Sequence, residues 1–204
     1  YKCYNHAILQ NRVTDLDMLY HHLRLQFSDQ SKIFTDLLLK AKEVNRHDII
    51  AWFLKLDDTH PEIRKAMLFF QELDKCSSSK AKTFLASTPI SWEYVPAEMC
   101  FAISSHLIKR NQSQFIADLE LFHLHPHFHT IISPLTKEKI TILDMAGKTA
   151  NVQFNQRFIS YFLNYLDQYA EIYPRWLAEF HHNFLSLINQ WSIPKNKLIN
   201  GSPL

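Results

Sequence analysis

The sequence predicts an all-α fold: a solenoid of about five divergent helix pairs with a C-terminal helical cap. Three observations carry that prediction. A helix-forming run, a polar break usually carrying Asn and a second apolar run return at about 33 residues, the spacing of stacked repeats. Within the runs the apolar residues keep helical spacing, as Ile49, Ile50, Phe53 and Leu54 do along one face. With 204 residues, 47% of them hydrophobic and 13% aromatic, the chain can bury a sizeable core without disulfides or a structural metal.

Asn11 separates the predicted helices Tyr4–Gln10 and Thr14–Leu23, and Asn45 separates Lys32–Val44 from Asp48–Leu54. Asn111 divides Ala97–Arg110 from Ser113–Phe122, and Asn151 divides Ile142–Ala150 from Gln153–Tyr165. These anchors lie 34, 66 and 40 residues apart. Because 66 is two periods, an unmarked break is expected near position 78, and Cys76–Ser79 stands there between Ile63–Lys75 and Lys80–Leu85. The run from Asp57 to Pro61 ends the second pair and opens the next helix, with Thr59 or His60 at the cap and Pro61 in the first turn. Pro89 and Pro96 make Ala86–Pro96 a loop, and His123–Lys139 is the longest irregular connection. Beyond Pro174 the stripe Trp176, Leu177, Phe180, Phe184, Leu187, Ile188 and Trp191 reads as an amphipathic helix, whose expected role is to cap the stack. The expected organisation is repeats over 1–165, capping helices over 166–193 and a tail over 194–204.

Thr141, Ile142, Leu143, Ala146, Gly147 and Asn151 resemble the Thr-Pro-Leu-x-x-Ala opening and Gly/Asn break of the ankyrin-repeat family, with Ile142 where Pro is usual. Leu38, Ala41, Asn45, Ile49, Ile50, Phe53 and Leu54 are similar to its apolar and turn positions. The resemblance spans about residues 4–165 and implies a divergent ankyrin repeat whose fingers project from one side. The chain departs from the family in having no intact Thr-Pro-Leu-His and only Gly147 and Gly201. Asn substitutes best where the backbone turns left-handed. Other helix-pair repeats, or an irregular helical domain, stay open at this point.

Twenty-two basic and 20 acidic side chains leave a formal charge of +2, too balanced for a nucleic-acid footprint. Cys3, Cys76 and Cys100 are too few and scattered for a disulfide framework or a metal knuckle, so a reducing, cytoplasmic setting is expected. The longest apolar stretch, Ile49–Leu54, falls far short of the roughly 18 residues of a membrane span. With neither an initiator Met nor a leader, the sequence is expected to begin inside a longer protein or to have been trimmed.

His123, His125, His127 and His129 alternate, and on an extended segment they would face one way, as zinc ligands can. Ligands adjacent on one strand wrap a tetrahedron poorly, so no cofactor is expected and these histidines are a secondary metal candidate. Cys100 reads as a buried hydrophobe and Cys76 as a turn residue. Isolated glycines exclude a phosphate cradle. The expected function is a non-catalytic protein-binding module contacting its protein partner through a concave face and loop tips. The residues proposed for contact are Trp92, Tyr94, His125, His127, Phe128 and Lys137, since large aromatics are typical anchors. The alternative is a targeting or scaffold segment of a larger enzyme, or of an effector delivered by an intracellular bacterium into the host cytosol.

Overall fold

The computed structural model of the chain describes residues 2–24, 30–56, 60–132, 137, 139–142, 145 and 154–169. Among these residues the chain is mostly helical. The first helices run α1 Lys2–Leu9, α2 Val13–Arg24, α3 Gln30–Glu43 and α4 His47–Lys55. They are followed by α5 Pro61–Glu72, α6 Ser78–Ser87, α7 Ala97–Lys109 and α8 Gln114–Asp118. The last are the short α9, Leu121–Leu124, and α10, Gln156–Tyr169. Between these two lie a 3-10 turn at Pro126–Phe128 and an antiparallel hairpin of β1 Thr130–Ile132 with β2 Lys139–Thr141, in which Ile131 pairs with Ile140.

The Asn breaks share one backbone solution. Asn11, Asn45 and Asn111 each have φ of 55°, in the left-handed region. At each, the Asn N–H bonds back to the carbonyl three residues earlier (Ile8, Lys42, Ile108) and the next N–H to the carbonyl five earlier (Ala7, Ala41, Leu107). This is the Schellman closure: it satisfies carbonyls that the ending helix leaves unpaired and redirects the chain within two residues. Asn is the non-glycine side chain that tolerates this φ best, which is why a chain with two glycines can repeat it. Asn151 lies outside the described residues.

The break expected near 78 is built differently. The helix α5 ends in tight turns through Leu73–Cys76 with no left-handed residue, and the Ser77 hydroxyl accepts from the Lys80 N–H to start α6. Likewise the imidazole of His60 caps α5 by accepting from the Glu62 N–H at 3.2 Å, with Pro61 in the first turn.

The first two helix pairs pack on one another, as do the helices from α5 onward. The helix α1 packs on α2 and α3, α2 on α4, α3 on α4, α5 on α6, α6 on α8, α7 on α8, and α8 on α10. Side-chain bonds between pairs accordingly join residues about one period apart. The separation is 37 for Asn11 with Asp48, 35 for Trp52 with Asp17, 32 for His106 with Asp74 and 39 for the Phe122 N–H with Tyr161. The helix α3 also packs on α7. One cluster of buried side chains runs from Tyr4 to Tyr165.

Three expectations are corrected. The helix predicted over Ser113–Phe122 breaks at Glu120, which takes φ of 51° and divides α8 from α9. The connection His123–Lys139 holds a 3-10 turn and the start of a hairpin, so it is not wholly irregular. The helix expected over Gln153–Tyr165 begins at Gln156 and runs to Tyr169, with Phe154, Phe158 and Phe162 stacked along its buried side. Most of the helix expected at Ile142–Ala150, and all of the stripe from Trp176 to Trp191, lie outside the described residues.

Replacing Asn45 by Ala keeps the Cβ but loses the short polar side chain that eases the left-handed region, and should cost about 1 kcal/mol, whereas Asn45→Gly should cost little or nothing. Urea denaturation of the two variants measures the difference.

Candidate functional site

Two connections carry the residues proposed for contact, and the fold brings Trp92 of one against Phe128 of the other. The loop between α6 and α7 is tied down on α5. Glu62 accepts the Ser91 N–H at 2.7 Å on one carboxylate oxygen and the Lys65 ammonium at 2.8 Å on the other, while Lys65 also donates to the Pro89 carbonyl at 3.2 Å. The Lys65 bond first, and then the Ser91 N–H, hold the Glu62 carboxyl below its usual range. The backbone of the loop is thereby fixed from below.

Within this loop Trp92 turns inward, 6% exposed, with its ring 5.9 Å from Phe69 and 4.8 Å from Phe128. Phe128 is fully buried and comes from the 3-10 turn that packs on α7. The pair forms an edge-to-face joint between the loops. Tyr94, two residues on, is 59% exposed and stacks on the His60 ring at 5.3 Å with the planes 21° apart. Around the same joint, His125 and His127 place their rings 4.7 Å apart. The His127 N–H donates to His125 Nδ1 at 3.2 Å, which leaves the remaining proton of neutral His125 on Nε2. Burial lowers the His125 pKa, neighbouring His127 lowers it further, and Glu93 partly opposes both. His127 in turn donates from Nδ1 to the Thr130 carbonyl at 3.3 Å.

Trp92 and Phe128 therefore serve the core, a correction that follows from their aromatic bulk: the loop closes over them as over any large apolar side chain. Tyr94, His125 and His127 lie at the joint, and His60 joins them, a residue the sequence marks only as a helix cap. Lys137 is exposed, at a φ of 60° between the two hairpin strands. The metal candidate is also corrected, because the segment is not extended. His123 sits at the end of α9 with Nδ1 3.0 Å from the Tyr161 hydroxyl, while His129 is buried against Phe122, Phe162 and Tyr165. Among the described residues no group of three His, Cys, Asp or Glu is arranged to hold a metal ion. Burial pushes the Cys100 thiol up to about 12 and raises that of Cys76, the opposite of an activated nucleophile.

A second polar cluster was not anticipated. Asp74, just past α5, takes the Lys42 ammonium from α3, the Arg110 guanidinium from the end of α7, and His106 Nε2 at 2.6 Å. The side chain of Lys42 is only 6% exposed, and its ammonium also lies 4.9 Å over the centre of the Phe70 ring. Burial alone would raise the Asp74 pKa, but the bonds from Lys42 and His106 outweigh it and hold the carboxyl below 3.8. His106 is lowered below 6.5 because its own burial outweighs the pull of Asp74. It is best read as a neutral ring donating to the carboxylate, and the cluster as a clip across three successive first helices. Its signal was present in the sequence: Lys42, Asp74 and His106 stand 32 residues apart in succession.

Comparison with family models, with curated proteins and with solved structures finds no match, so the site's geometry carries the functional argument.

Asp74→Leu strands the buried Lys42 charge and should cost about 3–5 kcal/mol, whereas Lys42→Met with Asp74→Leu should recover much of that loss. Chemical denaturation of the three chains tests this. His106 and His125 have folded pKa values below the ordinary 6.5, so their contribution to stability is present above 6.5 and fades as pH falls through the folded values. Asp74 adds a further loss below 3.8. Calorimetry should show a melting temperature that falls between pH 7 and 5, with a smaller fall in His106→Gln.

Proposed function

We propose that the chain is a non-catalytic protein-binding module. It is a stack of divergent, ankyrin-like helix pairs that engages a protein partner through its concave face and the loop tips along one edge. The observation that carries this reading is the joint between two connections more than 30 residues apart: buried Trp92 meets Phe128, with exposed Tyr94, stacked on His60, next to Trp92 in the chain and the paired His125 and His127 rings next to Phe128.

Such a surface has the physical character of a binding hot spot. The tyrosine is large and already immobilised by stacking, so little side-chain freedom is lost on contact. The histidine rings supply hydrogen-bond donors and acceptors, and the pinned loop presents Tyr94 in one arrangement. Balanced overall charge argues for a protein rather than a nucleic acid as partner. Burial raises the Cys76 and Cys100 thiols, away from the range of an activated nucleophile. No helix of the described residues is long and apolar enough to cross a membrane. The proposed setting is cytoplasmic.

Affinity capture from a eukaryotic lysate, read by mass spectrometry, compares the parent with Tyr94→Ala/His127→Ala. The expected outcome is a partner lost by the variant, with a binding deficit of about 2 kcal/mol or more and circular-dichroism melting close to that of the parent. Equal capture by both chains would place the interface elsewhere and refute this assignment.

A further inference from the structure

The first helix pair leaves open a face that the second pair shows how to fill. Three contacts hold α3/α4 against α1/α2. The Arg46 guanidinium donates to the Leu9 carbonyl at the end of α1, and the Asn11 amide donates to Asp48 at 3.2 Å. The Trp52 indole donates to Asp17 at 3.0 Å with its ring edge-on to Tyr20. Aligning the two pairs on their identical Asn turns, the counterparts of Arg46, Asp48 and Trp52 are Arg12, Thr14 and Met18. All three are exposed, Met18 at 66%. Residues that bond backward in the second pair thus have counterparts in the first that face water.

A groove of about 730 Å³ lies on this first pair. Its lining residues Cys3, Ala7, Asp15 and Leu19 correspond to Leu37, Ala41, Ile49 and Phe53, which are all buried in the second pair. Where the second pair has a packed surface, the first therefore has a cleft rimmed by Met18. Arg12 rests on Asp15 at 3.5 Å, an exposed ion pair of little worth, and can be redirected to a helix end as Arg46 is.

We infer that this face is a docking site for one further helix pair of the same design, continuous with the interface between the first two pairs. Its occupant offers a bare helix C-terminus to Arg12, as Leu9 does to Arg46, and an aromatic or aliphatic ring of contacts to Met18, as Tyr20 does to Trp52. The inference rests on the helix-pair stacking in the functional reading above and not on the Tyr94 surface, so loss of that surface would leave it standing.

The test joins a second copy of residues 1–34 ahead of Tyr1 of the full chain, which keeps the 34-residue period. The added pair should fold, with helicity per residue equal to that of the parent and a melting temperature about 3 °C or more higher, roughly 1 kcal/mol at this size. Met18→Asp in the original copy should abolish the gain, and the same change in the parent should leave its melting unchanged; Arg12→Glu is the second variant should Met18→Asp disturb the parent. An unchanged melting temperature with the added residues unfolded would overturn the inference. So would sedimentation showing that the parent dimerises and that Met18→Asp abolishes the dimer, because the occupant would then be a second copy of this chain.

Discussion

The left-handed turn at an asparagine is the constraint on which the architecture depends. It ends a helix, satisfies two of its last carbonyls and starts the return helix within two residues, so each pair is closed by backbone geometry before side chains are chosen. Closing at the same place in three pairs puts the second helices in register, and that allows Arg46 to find the Leu9 carbonyl and Trp52 to find Asp17. A turn two residues longer would rotate the return helix by about half a turn at 3.6 residues per turn and carry its apolar face away from the neighbouring pair.

Where the third pair lacks this turn, a different interaction compensates. Its break through Leu73–Cys76 is made of ordinary right-handed turns, which leave the exit direction less determined. Asp74 sits at that break and is gripped by Lys42 from the pair before and by His106 and Arg110 from the pair after. A carboxylate that meets three donors from two neighbours fixes the end of α5 relative to both. The nearby contact of α3 with α7 indicates that the stack tightens at this point, bringing the two flanking pairs close enough for one carboxylate to reach both. Buried ion pairs add little net stability but penalise every arrangement that leaves a charge unpaired, so the clip is better understood as selecting the packing than as strengthening it.

What was legible in the sequence followed from local rules. The asparagines announced their conformation because few residues tolerate positive φ, and His60 with Pro61 announced a helix start because caps have narrow chemistry. The site was legible only in part, because direction is a tertiary property. Nothing local distinguishes Trp92, which turns in, from Tyr94, which stays out; the difference is made by Phe128, 36 residues further on and equally buried. The four alternating histidines, a secondary metal candidate, part ways for a similar reason. Alternation has meaning only on an extended backbone, and here Pro126 opens a 3-10 turn that sends the His129 ring into the core and leaves His123 on the helix before it. Glu120 gave no warning at all, since Glu is not a residue that favours the left-handed region.

The same joint explains why a surface of this kind can be both exposed and rigid. An exposed aromatic on a free loop samples many positions and must be ordered by its partner at an entropic cost. Here the loop is nailed from beneath by Glu62 and Lys65 and from inside by Trp92 against Phe69 and Phe128, so the backbone on either side of Tyr94 has few options left. His60, which ends one connection and caps the next helix, supplies the last wall. His60, Glu62, Lys65 and Phe69 all come from α5 and its cap, and they meet a loop and a 3-10 turn far along the chain. The joint is therefore a consequence of helix packing: a shift of the loop by a single residue would separate Tyr94 from His60 and Trp92 from Phe128 together, dismantling the surface while each helix remained intact.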